Sequence, residues 1–374
     1  MSNNNNEVKK YPLKKEEAQK RKLQLTNSKG EYHVLYDLIL TLRQLKDKNI
    51  KYPENNFEGR LKLKFSYNDK NQEDIFLNFS GTIFSITVNS KIINFIYKNK
   101  RIYIKHTDLI LNDINEVIIL FSSKYDKTRI GLHHFIDPSD NNEYLYTQFC
   151  PFECNLVFPV FDQPDIKSTL KLSLIGINNW VMLSNEKEIL KWKIDKNSKE
   201  NDKDCEKLND IYSSLTNEEF DFLFESIYNK NYMITLFETT PKISSYLFAI
   251  CAGPYFSYLN PYIYKIPIRI FMRQSLKFKG EIKEVFKSLI YGMEYYKKYF
   301  GISFPFSKYD QLYAPEFNFG AMENVGLVTY NEYYCFDKNS SKNKISKYIT
   351  TVLHELSHIW FGNLVTMNCG MIYG

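Results

Sequence analysis

His354-Glu355-Leu356-Ser357-His358 lies near the end of the 374-residue chain, within a stretch whose apolar spacing is helical. The apolar positions recur every three or four residues: Ile345, Tyr348, Ile349, Val352, Leu353, Leu356, Ile359 and Trp360. Gly362 then provides a stop signal for the helix. Residues four apart share one helical face, so both imidazoles can bind one Zn²⁺ ion. Glu355, between them, can serve as a general base for a water molecule at the same place.

The alternative is an amphipathic core helix without a metal. The apolar stripe is needed in either case, so core packing and metal binding are compatible. A buried histidine pair flanking a carboxylate is a poor choice for packing alone, because three polar groups would need hydrogen-bond partners in an apolar setting. A metal ion supplies such partners, and the pattern therefore favours a metal site.

A second motif, Gly320-Ala321-Met322-Glu323-Asn324, precedes the histidines by about thirty residues. Together with residues 354–367, it resembles the zinc aminopeptidase N family, the gluzincin aminopeptidases. Four further stretches are similar to landmarks of that family and occur in the expected order: 144–149, 161–165, 240–246 and 252–255. The resemblance covers roughly residues 13–367.

The resemblance implies a zinc metalloaminopeptidase that hydrolyses N-terminal residues from peptides. His354 and His358 would hold one Zn²⁺ ion per chain, and Glu355 would be the catalytic general base. The expected partners are peptide substrates with a free N-terminus.

The resemblance also implies how a substrate is held. In the family, the main chain of the second motif is an exposed strand edge to which an extended peptide adds. We therefore expect substrate binding by the whole motif: Gly320, Ala321, Met322, Glu323 and Asn324. Glu323 matches the carboxylate that grips the free α-amino group. The alternative for Glu323 taken alone is a solvated surface charge.

Position 150 departs from the family pattern. Relatives usually carry Gln-x-Glu there, whereas this chain has Gln148-Phe149-Cys150. A thiol cannot replace a carboxylate as a charge-assisted acceptor, so we expect amine binding to rest on Glu323 and Gln148. The alternative for Gln148 is an ordinary surface amide.

The third zinc ligand is a further departure. In the family it is a glutamate about eighteen residues after the second histidine, whereas sixteen residues (374 − 358) follow His358 here. Residues 368–374 do not resemble the family. We therefore expect an N-terminal portion of such an enzyme that lacks the third ligand and is a poor catalyst alone.

Two other functions remain open. One is a catalytically inactive peptide-binding or regulatory relative, which the presence of the downstream glutamate would exclude. The other is the epoxide-hydrolysing branch of the superfamily, which tends to have Gly-Gly where this chain has Gly320-Ala321.

Composition limits the partners and the cellular location that we expect. A 44% hydrophobic content is ample for cores, and the net charge of +6 forms no concentrated basic stripe beyond the first thirty or so residues, so nucleic acid is not expected as a partner. The six cysteines show no paired zinc spacing and are expected to be reduced thiols. Without an apolar run of about twenty residues, we expect no membrane span and a cytoplasmic location.

The strand and helix patterns predict a multidomain protein. Short β-branched and aromatic runs at 76–86, 101–104 and 117–121 indicate an antiparallel β domain over 13–259, saddle- or sandwich-like. It would follow a disordered tail, 1–12, and contain a flexible insert at about 196–209. Residues 260–374 would then begin a thermolysin-like α/β catalytic domain that is incomplete at its C-terminus. A helical period runs within it from Ile282 to Gly301.

Overall fold

A computed structural model describes residues 13–27, 29–44, 55–69, 71–194, 206–227, 231–260, 264–276, 282–335 and 339–366. The predicted tail, 1–12, lies outside these ranges, as do residues 367–374. Most of the predicted flexible insert also lies outside them, and its described end, 206–209, opens a helix.

The described residues form twenty strands and five α-helices. The strands are β1 Val34–Thr41, β2 Asn56–Tyr67, β3 Ile75–Asn78, β4 Thr82–Val88, β5 Lys91–Ile92, β6 Ile96–Lys98, β7 Arg101–Ile104, β8 Asp113–Lys124, β9 Gly131–Ile136, β10 Glu143–Gln148, β11 Thr169–Ile177, β12 Val181–Ser184, β13 Glu188–Lys193, β14 Tyr232–Phe237, β15 Ile250–Gly253, β16 Phe256–Leu259, β17 Ile268–Met272, β18 Tyr309–Ala314, β19 Ala321–Met322 and β20 Leu327–Asn331. The helices are α1 Lys15–Leu25, α2 Glu206–Ser213, α3 Asn217–Phe224, α4 Ile282–Phe300 and α5 Lys342–Ser357.

The first part of the chain is rich in strands. Its largest sheet has the order β13-β14-β11-β1-β2-β8-β4-β5, and every described pair is antiparallel except β1 with β11. Two smaller sheets, β12-β15-β10-β9 and β3-β7-β6, complete it. Alternate residues of a strand face opposite sides, and β3 and β7 accordingly alternate buried with half-buried positions.

The second part of the chain is an α/β unit. Its sheet has the order β16-β17-β18-β20-β19, with parallel pairs at β17-β18 and β18-β20. Helix α4 matches the predicted helical period and is followed by Gly301 at φ 72°. A β-rich part followed by the start of an α/β part confirms the predicted fold class, whereas the boundary near residue 260 stays a prediction.

Helices α4 and α5 approach each other closely. A Cβ atom on Gly292 of α4 would lie 2.6 Å from Leu353 Cδ2 of α5, so a larger residue at that point would separate the helices. The Tyr296 hydroxyl donates to the Leu353 carbonyl at 3.1 Å. Helix α4 thereby fixes the last turns of α5, which carry the histidine motif.

Within the described segments, no helix combines the length and the apolar composition that a membrane crossing requires.

Candidate metal centre and substrate edge

Helix α5 presents the histidine motif at its carboxyl end. The helix begins after Ser341, whose hydroxyl accepts a hydrogen bond from the Lys344 N–H and so caps it. Its buried face includes Tyr348, Val352, Leu356 and, at the same spacing, Glu355. His354 is exposed and His358 is half-buried. The apolar period therefore places the carboxylate inward and the two imidazoles at the surface.

The two imidazoles converge. The Nε2 atoms of His354 and His358 lie 3.1 Å apart, and His358 Nδ1 lies 3.0 Å from the Phe361 carbonyl oxygen. A carbonyl only accepts, so Nδ1 carries the hydrogen and a neutral His358 presents a lone pair at Nε2. A tetrahedral ion with Zn–N bonds of 2.0–2.1 Å would hold two nitrogens about 3.3 Å apart. The observed separation fits such a pair of ligands.

Glu355 is an orphaned buried carboxylate. It is 4% exposed, and its Oε2 atom has no hydrogen-bond partner among the described residues. Burial, and then the nearby Glu323 carboxylate, raise the pKa of Glu355 to about 9. Ligand atoms of Glu323, Glu355 and His358 all lie within 4.8 Å of one another. Two carboxylates and one imidazole nitrogen at this separation suit a divalent cation, which would relieve the repulsion between the carboxylates.

The second motif forms the edge of the α/β sheet. Strand β19 pairs with β20 through Ala321 with Tyr330 and Met322 with Thr329, and it is the last strand of the sheet. An edge strand has main-chain donors and acceptors available for another strand. A Cβ atom on the exposed Gly320 would lie 3.1 Å from the Tyr334 hydroxyl. The absence of a side chain at Gly320 therefore lets this edge lie close to Tyr334.

The five residues of the motif divide by burial. Gly320 is exposed, and Ala321 and Glu323 are half-buried. The Met322 and Asn324 side chains are buried, and the Asn324 amide lies 3.4 Å from the Thr329 hydroxyl, within donating distance. Met322 and Asn324 can therefore offer a substrate their main chain, whereas Glu323 can offer a charge.

Gln148 ends β10 inside the protein. It is 1% exposed rather than at the surface, and its Oε1 atom lacks a hydrogen-bond partner within the described part of the chain. Cys150 follows two residues later. Burial, then the charges of Glu323 and Glu153, raise the pKa of the Cys150 thiol to about 12, so the thiol is neutral near pH 7. The Gln148-Phe149-Cys150 segment thus reaches the neighbourhood of Glu323.

Comparison with known proteins matches both parts of the chain. The model of the peptidase M1 N-terminal domain matches residues 34–203, and that of the peptidase family M1 domain matches residues 284–369. The chain belongs to peptidase family M1. The resemblance inferred from the two motifs is thereby confirmed, with both M1 motifs inside the second match.

Several M1 relatives are similar along most of the chain. Aminopeptidase N of Streptomyces lividans is 34% identical over 256 residues, which are 68% of this chain and 25% of that protein. Aminopeptidase 2 of Candida albicans is 29% identical over 264 residues, or 70% and 25%. Aminopeptidase N of Canis lupus familiaris is 32% identical over 224 residues, or 59% and 20%. The chain spans about a quarter of the length of the first two of these relatives.

Two residues near the candidate site were not found from the sequence. Asn363, just after α5, donates from Nδ2 to the Glu323 carbonyl at 3.1 Å. Tyr246 is 1% exposed, and burial, followed by Glu323 and Cys150, raises the pKa of its hydroxyl. Tyr246 ends the similar stretch 240–246, which was the one sequence signal for it.

Proposed function

We propose that this chain is part of a zinc-dependent aminopeptidase that hydrolyses the N-terminal residue of peptides. The observation that carries the proposal is the cluster of Glu323, Glu355 and His358, with ligand atoms within 4.8 Å of one another, beside an open sheet edge. The cluster supports a cation site, and the edge supports binding of an extended peptide.

His354 and His358 would hold the metal ion, since their Nε2 atoms converge. Zn²⁺, when bound, supplies a Lewis acid and lowers the pKa of water to about 7. Glu355 takes the proton of the attacking water and delivers it to the leaving amine. Its position supports this role, because Glu355 is buried beside the candidate metal ligand His358 and its Oε2 atom has no hydrogen-bond partner among the described residues.

Glu323 and Gln148 would bind the substrate amine. The Glu323 carboxylate pairs with an ammonium, and the Gln148 Oε1 atom offers a second acceptor that has no partner among the described residues. The main chain at Gly320 and Ala321 aligns the peptide along the edge of β19. An anionic group beside the metal site would select chain ends, because an internal peptide nitrogen carries no charge.

A third zinc ligand is indicated only by the family resemblance. Glu323 and Glu355 are the carboxylates that the described residues bring within 4.8 Å of His358, and both have other proposed roles. The resemblance places the third ligand about eighteen residues after His358. We also propose a cytoplasmic setting, which the four free cysteines of the described residues support: Cys150, Cys154, Cys251 and Cys335.

Zinc stoichiometry of the full 374-residue chain tests the metal site. After dialysis against zinc-free buffer, we expect the purified chain to retain zinc, and His358→Ala to lose it. His106→Ala is the matched control, because His106 is half-exposed beside Asp74, far from α5 in sequence. Equal zinc in the wild type and in His358→Ala would contradict the proposed site. Because we expect this chain to be a poor catalyst alone, slow hydrolysis of an aminoacyl anilide, but not of its N-acetyl form, then tests the activity. Binding of free-amine peptides without zinc or turnover would favour the non-catalytic relative.

A further inference from the structure

The Glu323 carboxylate depends on its main chain for its position. Within the described residues, the half-buried Glu323 side chain makes no hydrogen bond and no ion pair. No polar partner of its own therefore anchors the carboxylate. The groups that fix the main chain around Glu323 also fix the charge that we assign to the substrate amine.

Two side-chain amides hold carbonyls on either side of Asn324. The Glu323 carbonyl accepts a hydrogen bond from Asn363 Nδ2 at 3.1 Å, and the Val325 carbonyl accepts one from Asn185 Nδ2 at 2.8 Å. Asn363 follows α5, whereas Asn185 follows β12. The main chain at Glu323 is thus held from two separate parts of the fold.

Asn185 uses its whole side-chain amide. Its Nδ2 atom donates to the carbonyls of Leu247 and Val325, both at 2.8 Å, and its Oδ1 atom accepts from the Ala249 N–H at 3.0 Å. The residue is 1% exposed, so water cannot replace these partners. Gly326 lies against it, since a Cβ atom there would be 2.1 Å from the Asn185 carbonyl oxygen. This close approach requires glycine at position 326.

Asn185 belongs to the first part of the chain. It lies within residues 34–203, which match the M1 N-terminal domain, whereas the second motif lies within residues 284–369, which match the M1 domain. The next residue, Glu186, also reaches the second part, because it accepts a hydrogen bond from the Ser307 hydroxyl. The β-rich part thereby contacts the main chain of the candidate substrate site.

We propose that Asn185 is a positioning residue for amine recognition: its hydrogen bond to the Val325 carbonyl holds Glu323 where the carboxylate meets the terminal ammonium of the substrate. This inference rests on the proposed aminopeptidase function. It makes recognition of a free N-terminus depend on the β-rich part of the chain, and not only on the part that carries the two motifs.

Calorimetric titration of the full chain with L-alaninamide and with N-acetyl-L-alaninamide tests the inference. Asn185→Asp keeps the acceptor for Ala249 but replaces the donor with an oxygen that faces two carbonyls. We expect binding of the free amine to weaken about tenfold, in line with the loss of one hydrogen bond to a charged group. Binding of the acetylated probe should not change, because that probe carries no ammonium. Zinc affinity should also stay the same, since the side-chain hydrogen bonds of Asn185 do not involve the histidine motif.

Asn115→Asp is the matched control. Asn115 is fully buried, and its Nδ2 atom donates to the carbonyls of Ile110 and Asp113 at 3.0 and 3.3 Å. Its Oδ1 atom accepts from the Ile110 N–H at 2.7 Å, so the pattern of hydrogen bonds is the same as at Asn185. Asn115→Asp should lower the melting temperature without changing the preference for the free amine.

Asn185→Ser is a second, milder variant. The shorter side chain no longer reaches the Val325 carbonyl, and the substitution adds no charge beside the carbonyls. We expect it to weaken binding of L-alaninamide in the same direction as Asn185→Asp does, again without a change in zinc affinity.

The outcomes separate the two proposals. If the wild type binds the free and acetylated probes equally, the proposed function fails and the inference fails with it. If the wild type prefers the free amine and the folded Asn185 variants keep that preference unchanged, only the inference is overturned. A loss of zinc affinity as large as the loss of amine affinity, or failure of both Asn185 variants to fold, shows a general structural role for Asn185 and also overturns the inference.

Discussion

The side-chain amide of Asn363 donates a hydrogen bond to the main-chain carbonyl of Glu323 at 3.1 Å. The Asn363 main-chain N–H also donates to the His358 carbonyl at 2.9 Å. The buried Asn363 thus joins the end of α5, which carries the histidine motif, to the second motif. Lys167 holds the same segment from the other side, through a 2.9 Å bond from Nζ to the Asn363 carbonyl. Asn363 therefore sets the distance between the candidate metal ligands, His354 and His358, and Glu323, the carboxylate proposed to bind the substrate amine.

Asn363→Asp should loosen this connection. The carboxylate keeps the shape of the amide but replaces a donor with an acceptor that faces the Glu323 carbonyl. We expect a loss of about 1–3 kcal/mol in the free energy of unfolding, together with weaker zinc binding. Urea denaturation and zinc titration measure the two effects.

The matched control is Asn68→Asp. The Asn68 amide donates to the Thr26 carbonyl at 3.0 Å in the β-rich part of the chain. It should lower stability without changing zinc affinity. Equal zinc affinities in the Asn363→Asp and Asn68→Asp chains would show that Asn363 does not set the site geometry.

Glu355→Gln should separate metal binding from chemistry. The amide fills the same buried space but cannot accept the proton of the attacking water, so turnover should fall by about 10²–10⁴-fold. Zinc content should stay at the wild-type level, because the histidines are unchanged. Metal analysis and an anilide hydrolysis assay on an active preparation measure the two quantities, with the exposed Glu218→Gln as control. Loss of zinc in Glu355→Gln would assign Glu355 to the metal instead.

Gly362→Ala should disturb the orientation of His358. Gly362 has φ 133°, and a Cβ atom there would lie 3.2 Å from His358 Nδ1, the atom that donates to Phe361. A displaced outer hydrogen bond of a ligating histidine typically costs 10–100-fold in metal affinity, and we expect about tenfold here. Gly301→Ala is the control, because Gly301 has φ 72° but open space around the added Cβ atom. If Gly362→Ala and Gly301→Ala have the same zinc affinity, the effect comes from backbone strain and not from the contact with His358.

The sequence predicted elements with strong local periodicity. The run at 101–104 is β7, and the run at 117–121 lies inside β8. The predicted strand at 76–86 is divided into β3 and β4. The break falls at Gly81, where a Cβ atom would lie 2.5 Å from the Ser122 carbonyl oxygen on β8. This break depends on a long-range contact, which local periodicity does not reveal.

In the candidate site, too, the sequence predicted what depends on local spacing and missed what depends on long-range contacts. His354, Glu355 and His358 share one helical turn, so their spacing predicted their proximity. Asn363 donates to the carbonyl of Glu323, forty residues earlier in the chain, and burial, followed by Glu323 and Cys150, raises the pKa of Tyr246. Neither residue type is informative alone. The surface interpretation of Gln148 does not match its burial, because strand alternation does not tell which face of β10 is covered.

Asp137 should make stability depend on acid pH. Its side chain is fully buried and accepts hydrogen bonds from Ser275, Arg273 and the Ser139 N–H. Burial would raise the pKa of Asp137, but these hydrogen bonds outweigh it and lower the pKa from 3.8 to about 2. The folded chain therefore favours the carboxylate. Its stabilising effect is full above about pH 4 and is lost as the pH falls from about 4 to about 2.

Asp137→Asn tests this dependence. We expect a loss of roughly 1–3 kcal/mol at pH 6, because Arg273 loses a charged partner. Between pH 4 and pH 2 the variant should lose less stability than the wild type does. Urea denaturation at pH 6, 4 and 3 measures the difference, with the exposed Asp221→Asn as control. Parallel pH curves for Asp137→Asn and the wild type would exclude Asp137 as the source.

Cys150→Glu should strengthen recognition of a free amine. The substitution adds a second carboxylate near Glu323, and a hydrogen bond to a charged acceptor is stronger than one to a thiol. We expect about tenfold tighter binding of L-alaninamide in calorimetry, because part of the gain offsets repulsion between the two carboxylates. Cys150→Gln is the matched control, with nearly the same shape and no charge. If the glutamine variant binds as tightly as the glutamate variant, the gain comes from shape and not from charge. If neither variant changes the affinity, position 150 lies too far from the bound amine to take part in its recognition.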